Sequence, residues 1–489
     1  MNILVVVNRR EDWRLEVDGV SVVAAQDYVT DPAYSDVANT RVFNLCRSYR
    51  YQSLGYYVSL LATARGHKPI PSVTAIQDMK SQAMARLVSD DLDDRIQQCL
   101  AHTPSDRLAL HVYFGRTPAA RYERLTRELF NLFQAPFLRA QFQRNGDGEW
   151  TLQSVRPLPA GEIPDAHRDL VTEAARRYFS RGRFRTRRRS PPRCALAILW
   201  NPAERDRPSN DRALERFERA AERLGMETER ITRDDYARLA EFDALFIRET
   251  TSVTHHTYRF ARRAEAEGLV VMDDPPSIER CTNKVYLAEL LDRHDVPTPR
   301  TLIVSSARVK RIIPELGLPV VLKQPDSSFS QGVVKADDEE TLRAAVGRLL
   351  DRSDLVVAQE FIATPFDWRI GVLDRTPLYA CKYYMARRHW QVIDRSGARA
   401  NSGRSECLRV EDAPPAVVRT ALRAANLVGD GFYGVDLKQR GRRCCVIEVN
   451  DNPSIDAGVE DAVLKGELYR RVMEVFLERV ERRRLGTAR

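Results

Sequence analysis

The sequence predicts a multidomain protein of the α/β and α+β classes. It has an N-terminal α/β module, a small parallel-sheet α/β domain and a larger mixed domain reaching the C-terminus. Three observations carry that prediction. At 489 residues the chain exceeds what one hydrophobic core organises, so roughly two to four domains are expected. An arginine- and proline-rich run at residues 180–193, SRGRFRTRRRSPPR, separates two stretches that each begin with an apolar strand. Beyond Cys194, strand and helix patterns alternate in the rhythm of a parallel sheet with crossover helices.

The first module spans residues 1–179. ILVVV at residues 3–7 reads as a buried strand, and residues 44–65 as a long helical segment stopped by Gly66. LALHVYFG at 108–115 is another strand. Residues 137–158 read as two strands joined across the turn sequence NGDG. Residues 180–193 form the basic linker. In residues 194–277, CALAILWN is a strand, DRALERFERAAERLG an amphipathic helix, DALFIRE a buried strand, YRFARRAEAEG a helix and LVVMDDP a strand. Residues 278–489 make the mixed domain.

Bulk properties exclude several function classes. Hydrophobic residues at 43% and charged residues at 30% suit a globular chain, not a disordered one. No apolar run approaches the roughly 20 residues of a membrane span, and MNILVVVNRREDW is too short in its apolar part for a signal peptide. Eight scattered cysteines without paired metal spacing predict reduced thiols and a cytoplasmic setting, with Cys444 and Cys445 filling a strand. The net charge of +9 raises nucleic acid as a partner. The basic run has one aromatic, Phe184, and no stacking surface interleaved with its arginines, and it closes on Pro-Pro-Arg, so a linker is the preferred reading, a phosphate- or RNA-binding arm the alternative.

The chemistry-bearing residues fall in the last domain. Lys284 opens a helix, and Lys323 closes an apolar strand before the small-residue loop DSSFSQG, with Ser328, Ser330, Gln331 and Gly332. An ammonium beside loop N–H groups can hold phosphates, although a hairpin with an exposed lysine is the plain alternative. Gln359, Glu360, Phe361 and Ile362 end a strand with a polar pair and apolar cover, which suits an adenine. In DWRIG, Asp367 and Arg369 share one face of a strand. In DGFYGVDLKQRGRRCCVIEVNDNP, Asp436 lies on one strand and Glu448 and Asn450 on its hairpin partner, so three oxygen donors converge as a hard-metal site requires.

This order of parts resembles the ATP-grasp superfamily, most closely its RimK-type and glutathione-synthetase-like carboxylate–amine ligases, over about residues 194–480. The segment NLCRSYRYQSLGYYVSLLATARGHKPIPSV is similar to the extra N-terminal domain found on a subset of RimK-like ligases. The resemblance implies a pre-ATP-grasp domain at 194–277 and a two-lobed ATP-grasp domain at 278–489. It implies that Lys284, Lys323 and the loop from Ser328 to Gly332 hold the phosphates of ATP. Gln359 to Ile362 and Asp367 would hold the rest of the nucleotide. Asp436, Glu448 and Asn450 would hold two Mg²⁺ ions, for which Mn²⁺ can substitute. Arg369 is the expected stabiliser of the transferring phosphoryl group. Asn401 and Arg404, in the loosely matching SGARANSGRSE loop, are expected near the reacting groups. Arg248, Lys382, Arg387, Asn452 and Asp456 are expected on the substrate, with a surface salt bridge as the alternative for each basic residue. His255 and His256 read as a loop beside the substrate entrance in preference to a metal pair.

The expected activity is ADP-forming ligation of a carboxylate to an amine through an acyl phosphate, on an amino acid, small peptide or peptide-like metabolite. Addition of amino acids to a protein C-terminus and a non-catalytic nucleotide- or RNA-binding regulator are the alternatives. The expected partners are small carboxylates and amines, with no membrane, nucleic acid disfavoured, and self-association into a dimer or tetramer.

Overall fold

The computed structural model describes residues 2–486 apart from 35–36, 38–39, 82–84, 86–87, 90–91, 181–191, 327–331, 388 and 395–400. The chain forms two compact units, one of residues 1–193 with 234–241, the other of residues 194–233 with 242–489. The first unit reclaims Asp234–Glu241 from a stretch that reads linearly as the second domain. Its reason is electrostatic. The buried Glu241 accepts hydrogen bonds from Arg41 and from the Tyr178 hydroxyl, so a carboxylate hidden from water finds its partners in that unit.

In the first unit, the strand Asn2–Val7 lies between Ser21–Ala24 and Thr40–Asn44 in a parallel sheet, with Lys68–Ile70 outermost. Arg107–Tyr113, Phe137–Arg144 and Trp150–Pro157 form an antiparallel sheet. Phe137–Arg144 alternates buried and exposed positions because its apolar residues recur at every second place. The helix expected from residue 44 starts only at Leu54. Thr40–Asn44 is a strand, and the Ser53 hydroxyl caps the helix by accepting the Tyr56 N–H.

The second unit contains three main sheets. Ala195–Leu199, Glu227–Ile231, Ala244–Ile247 and Val270–Met272 are parallel, in the order Val270–Met272, Ala244–Ile247, Ala195–Leu199, Glu227–Ile231. Thr301–Val304, Val356–Glu360, Val320–Lys323 and Val333–Ala336 pair antiparallel in that spatial order. The third sheet runs Ser405–Leu408, Thr376–Tyr384, Phe366–Leu373, Phe432–Arg440, Arg443–Asn450, all antiparallel.

Opposite faces of this last sheet have different fates. Trp368, Ile370, Val435, Leu437 and Val449 point into a core shared with the helix Pro415–Val428. The alternate residues Asp367, Arg369, Asp436 and Lys438 point the other way, because side chains on a strand alternate and paired residues share a face. Gly371 and Gly434 are opposite each other on that second face. A Cβ on Gly371 would strike the Tyr379 ring, and one on Gly434 would lie 2.9 Å from Pro453.

One cysteine expectation is corrected. Cys381 and Cys407 are joined by a disulfide, and the other described cysteines are free. The two stand directly opposite each other on adjacent antiparallel strands with Cα atoms 4.1 Å apart, a proximity that their 26-residue separation does not announce. Cys444 and Cys445 are buried in the strand Arg443–Asn450 as expected. Among the described residues no helix is long and apolar enough to cross a membrane.

Candidate active site

The site is built on the polar face of the five-stranded sheet. The hairpin Phe432–Arg440/Arg443–Asn450 pairs Asp436 with Glu448 and Gly434 with Asn450. The pairing then skips Ile447, so a bulge lies next to Glu448. The Asn450 amide N–H₂ donates to the Gly434 carbonyl at 3.2 Å and to Asp436 Oδ2 at 3.3 Å, which turns its carbonyl oxygen away from those acceptors.

One strand over, Arg369 lies opposite Asp436. It forms a two-pronged ion pair, Nε to Oδ1 and Nη2 to Oδ2, both 2.6 Å. Burial works against the charge on Arg369, but Asp436 outweighs it and holds the guanidinium firmly protonated. The guanidinium also lies 5.0 Å from the centre of the Tyr383 ring. Asp367, two residues earlier, accepts from Lys438 Nζ at 2.6 Å. Lys438 is a member of the cluster that sequence reasoning missed. Its signal was the same period of two that links it to Asp436.

The two lysines arrive from elsewhere in the unit. Asn283 caps the helix Lys284–Arg293 by accepting the Val285 and Tyr286 N–H groups, and the Lys284 N–H donates to the Pro325 carbonyl at 2.8 Å. That bond fastens the helix start to the loop that follows Lys323. Lys284 Nζ lies 3.2 Å from Glu448 Oε1. Burial alone would lift the Glu448 carboxyl, but Lys284 and Lys323, then Arg369, hold it below the usual carboxylate range. Lys323 is only 9% exposed, and loss of its water pulls its ammonium down to about 8. Gln324 N–H donates to Gly332 O at 3.0 Å, closing the base of the loop. Ser328, Ser330 and Gln331 lie outside the described residues.

At the strand end of the neighbouring sheet, Gln359 is buried and donates to Thr301 Oγ1 at 3.0 Å. Glu360 accepts from Arg300 Nε at 3.0 Å and from Arg443. Burial raises its carboxyl, but those two guanidiniums bring it below the usual range. Phe361 carries Lys335 Nζ 4.8 Å above its ring and meets Trp390 edge-on, and Ile362 is buried.

The remaining expected residues do not join this cluster. Arg248 is 1% exposed, with every nitrogen occupied. It donates to Ser209 Oγ at 3.1 and 2.8 Å, Asn452 Oδ1 at 2.7 Å, Pro208 O at 2.6 Å and Pro453 O at 2.8 Å. Asn452 in turn donates to the Glu249 carbonyl at 2.7 Å, and Asp456 accepts the Asn210 N–H at 2.9 Å. These contacts clamp the NDNP turn to the parallel-sheet part of the unit.

Lys382 pairs with Trp368, so it projects from the face opposite Arg369, over the Phe366 and Trp368 rings and 3.6 Å from Glu406. Arg404 stacks 4.1 Å above Tyr384. Asn401 and Arg387 are exposed.

With this geometry in place, the similarities to known proteins fall into line. The family model RimK-like ATP-grasp domain matches residues 281–463, and RimK-like ATPgrasp N-terminal domain matches residues 25–174. The chain is a RimK-like ATP-grasp protein. Its ATP-grasp domain holds the whole acidic–basic cluster described above.

Among its relatives is the alpha-aminoadipate–LysW ligase LysX of Saccharolobus solfataricus, 29% identical over 197 residues, which are 39% of this chain and 68% of that one. A probable alpha-L-glutamate ligase of Cellvibrio japonicus is 27% identical over 232 residues, 47% of this chain and 74% of the relative. A crystal structure of D-alanine–D-alanine ligase from Bacillus anthracis aligns with 60% of this chain and 99% of its own at 14% identity and a TM-score of 0.48.

Proposed function

We propose that the ATP-grasp domain catalyses ADP-forming ligation of a carboxylate to an amine. The observation that carries this reading is the meeting of Asp436, Glu448 and Asn450 with Lys284, Lys323 and Arg369 on one sheet face. Oxygen donors and cations side by side suit a metal–polyphosphate. The named activities of the relatives, alpha-aminoadipate–LysW ligase and alpha-L-glutamate ligase, support an acidic amino acid as one of the joined partners.

Two carboxylates and an amide oxygen fit a hard dication such as Mg²⁺, whereas they offer no nitrogen or sulfur to a softer one. Asp436, Glu448 and Asn450 would hold two such ions. Bound there, Mg²⁺ would supply positive charge against the negative charge that develops during phosphoryl transfer. The chain's own residues do the rest. Lys323 and Lys284 neutralise phosphate oxygens, with Lys284 leaving Glu448 for the nucleotide. Gln359 to Ile362 and Glu360 seat the base and ribose. Arg369, paired with Asp436 in this structure, would present its fork to the transferring phosphoryl group.

In the first step a substrate carboxylate oxygen bonds to the γ-phosphorus as the bond to ADP breaks. In the second, the amine nitrogen bonds to the acyl carbon, inorganic phosphate leaves, and a proton is lost. No enzyme nucleophile is needed; positioning and electrostatic complementarity suffice. A reaction that consumes ATP suits the cytoplasm.

The test is phosphate release with ATP and Mg²⁺ over pools of amino acids and small peptides, with mass spectrometry of the products. ADP together with a new amide mass is the expected result. ATP binding without turnover in every small-molecule pool would move the acceptor to a macromolecule.

A further inference from the structure

A second group of metal-competent side chains lies outside the cluster just described. Glu249 follows Arg248 at the end of the strand Ala244–Ile247. His255 is the N-cap and His256 the first residue of the helix His256–Ala266. One ligand atom from each of the three side chains can be chosen so that all lie within 4.8 Å of one another. His256 Nε2 is 3.0 Å and His255 Nε2 4.0 Å from Glu249 Oε1. The two imidazole centroids are 3.9 Å apart. Ligands about 2.0–2.2 Å from a tetrahedral zinc ion are separated by roughly 3.3 Å, a value these distances bracket.

The bonding around the group leaves it wanting a cation. Glu249 is 1% exposed, and its Oε2 has no hydrogen-bond partner among the described residues. Its Oε1 receives a single long bond, 3.4 Å, from Asn201. His256 Nε2 is buried and likewise lacks a hydrogen bond of good geometry.

Thr257 Oγ1 donates to the Thr250 carbonyl at 3.3 Å and lies 3.1 Å from His255 Nδ1. With the proton on Nδ1 and the hydroxyl as its acceptor, Nε2 is left to serve as a metal ligand beside Glu249. This N–H to hydroxyl contact is the outer bond that fixes ring orientation in metal-bound histidines.

We propose that Glu249, His255 and His256 form a binding site for a zinc-class transition-metal dication, distinct from the oxygen-donor cluster of the ATP-grasp domain. The mixed nitrogen–oxygen donor set selects such an ion over Mg²⁺. The Glu249 carbonyl accepts from Asn452, and Val253, between the ligands, lines a pocket of about 460 Å³ with Asn283, Val285 and Tyr286. Bound metal would therefore stiffen the loop that edges this pocket near Lys284.

The test is calorimetric titration of the tag-free full chain with Zn²⁺ after chelator treatment and removal, alongside the visible spectrum of the Co²⁺-loaded protein. One ion per chain with Kd at or below ~1 µM, weakened at least tenfold in both His255→Ala and His256→Ala, is the expected result. The Co²⁺ spectrum should show tetrahedral bands that both variants lose, while Asp436→Asn keeps them. Weaker wild-type binding, or binding that either histidine variant leaves unchanged, overturns the site. His255, with 41% of its side chain exposed, can be truncated without opening a core cavity, so the test does not depend on how Glu249→Gln folds.

Discussion

Arg248, just past the strand Ala244–Ile247, and Arg369, within the strand Phe366–Leu373, both belong to the second unit, yet their surroundings differ sharply. Arg248 directs its whole guanidinium at neutral acceptors, namely a serine hydroxyl, an asparagine oxygen and two proline carbonyls. Burial pushes it down to about 10, because hydrogen bonds to neutral groups replace only part of the lost hydration. Arg369 meets one carboxylate through two parallel bonds and is held protonated. Arg369 thus depends on one charged partner, whereas Arg248 is held by four separate acceptors. An arginine's neighbours, more than its burial, separate a clamp from a working group.

The strongest way to sharpen the contrast is to remove charge on the working side. Glu448→Gln and Asp436→Asn should each lower ATP turnover by at least ~10³-fold, the several kcal/mol that metal-held phosphates contribute. The far-ultraviolet spectrum should stay that of the parent. Appreciable turnover in either variant would remove the oxygen-donor cluster from the mechanism.

On the clamp side, Arg248→Ala should lose about 3 kcal/mol of stability, read as a lower Tm, because Asn452 Oδ1, Ser209 Oγ and two carbonyls are left buried and unpaired. If Tm held and only KM rose, Arg248 would be a substrate contact after all.

Lys323 gives a prediction in pH. Its ammonium titrates near 8, so ATP affinity should fall by up to ~tenfold per pH unit above that value, with bound nucleotide shifting the midpoint upward. Stability runs the opposite way. An unfolded lysine keeps its proton to about 10.4, so between about 8 and 10.4 the unfolded chain binds more protons and this group's contribution to stability rises with pH. Binding curves and melting temperatures across pH 7–10 on the parent and Lys323→Met check both signs. A profile unchanged in the variant would transfer the effect to another group.

The smallest expected effect belongs to Lys382. On the far face of the sheet from Arg369, its replacement by alanine should change kcat/KM by less than ~twofold. A larger loss would mean that substrate reaches round the strand end.

Much of the working side was legible from residues alone. Asp436, Glu448, Asn450 and Arg369 stand where period-two alternation puts them, and Lys284 and Lys323 stand at element ends. Within a strand the backbone geometry leaves only two faces, so a short motif determines which side chains go together. The same alternation, read two residues on from Asp436, would have added Lys438. Placing Lys382 on the other face required the pairing register, which no local pattern states.

The clamp was illegible for a different reason. Arg248 meets Asn452 across 204 residues and Pro453 across 205. Glu241 joins Arg41 across 200. The Cys381–Cys407 bond depends on two cysteines meeting in register on neighbouring strands. Such partners are chosen by packing, since each buried polar group must be satisfied by whatever the fold brings near. The amino-acid order by itself therefore determined the elements, their sequence and the face of each short motif. Only the tertiary structure decided which cations would be consumed by the fold and which would remain exchangeable, because desolvation and hydrogen-bond satisfaction are properties of surroundings assembled from distant chain.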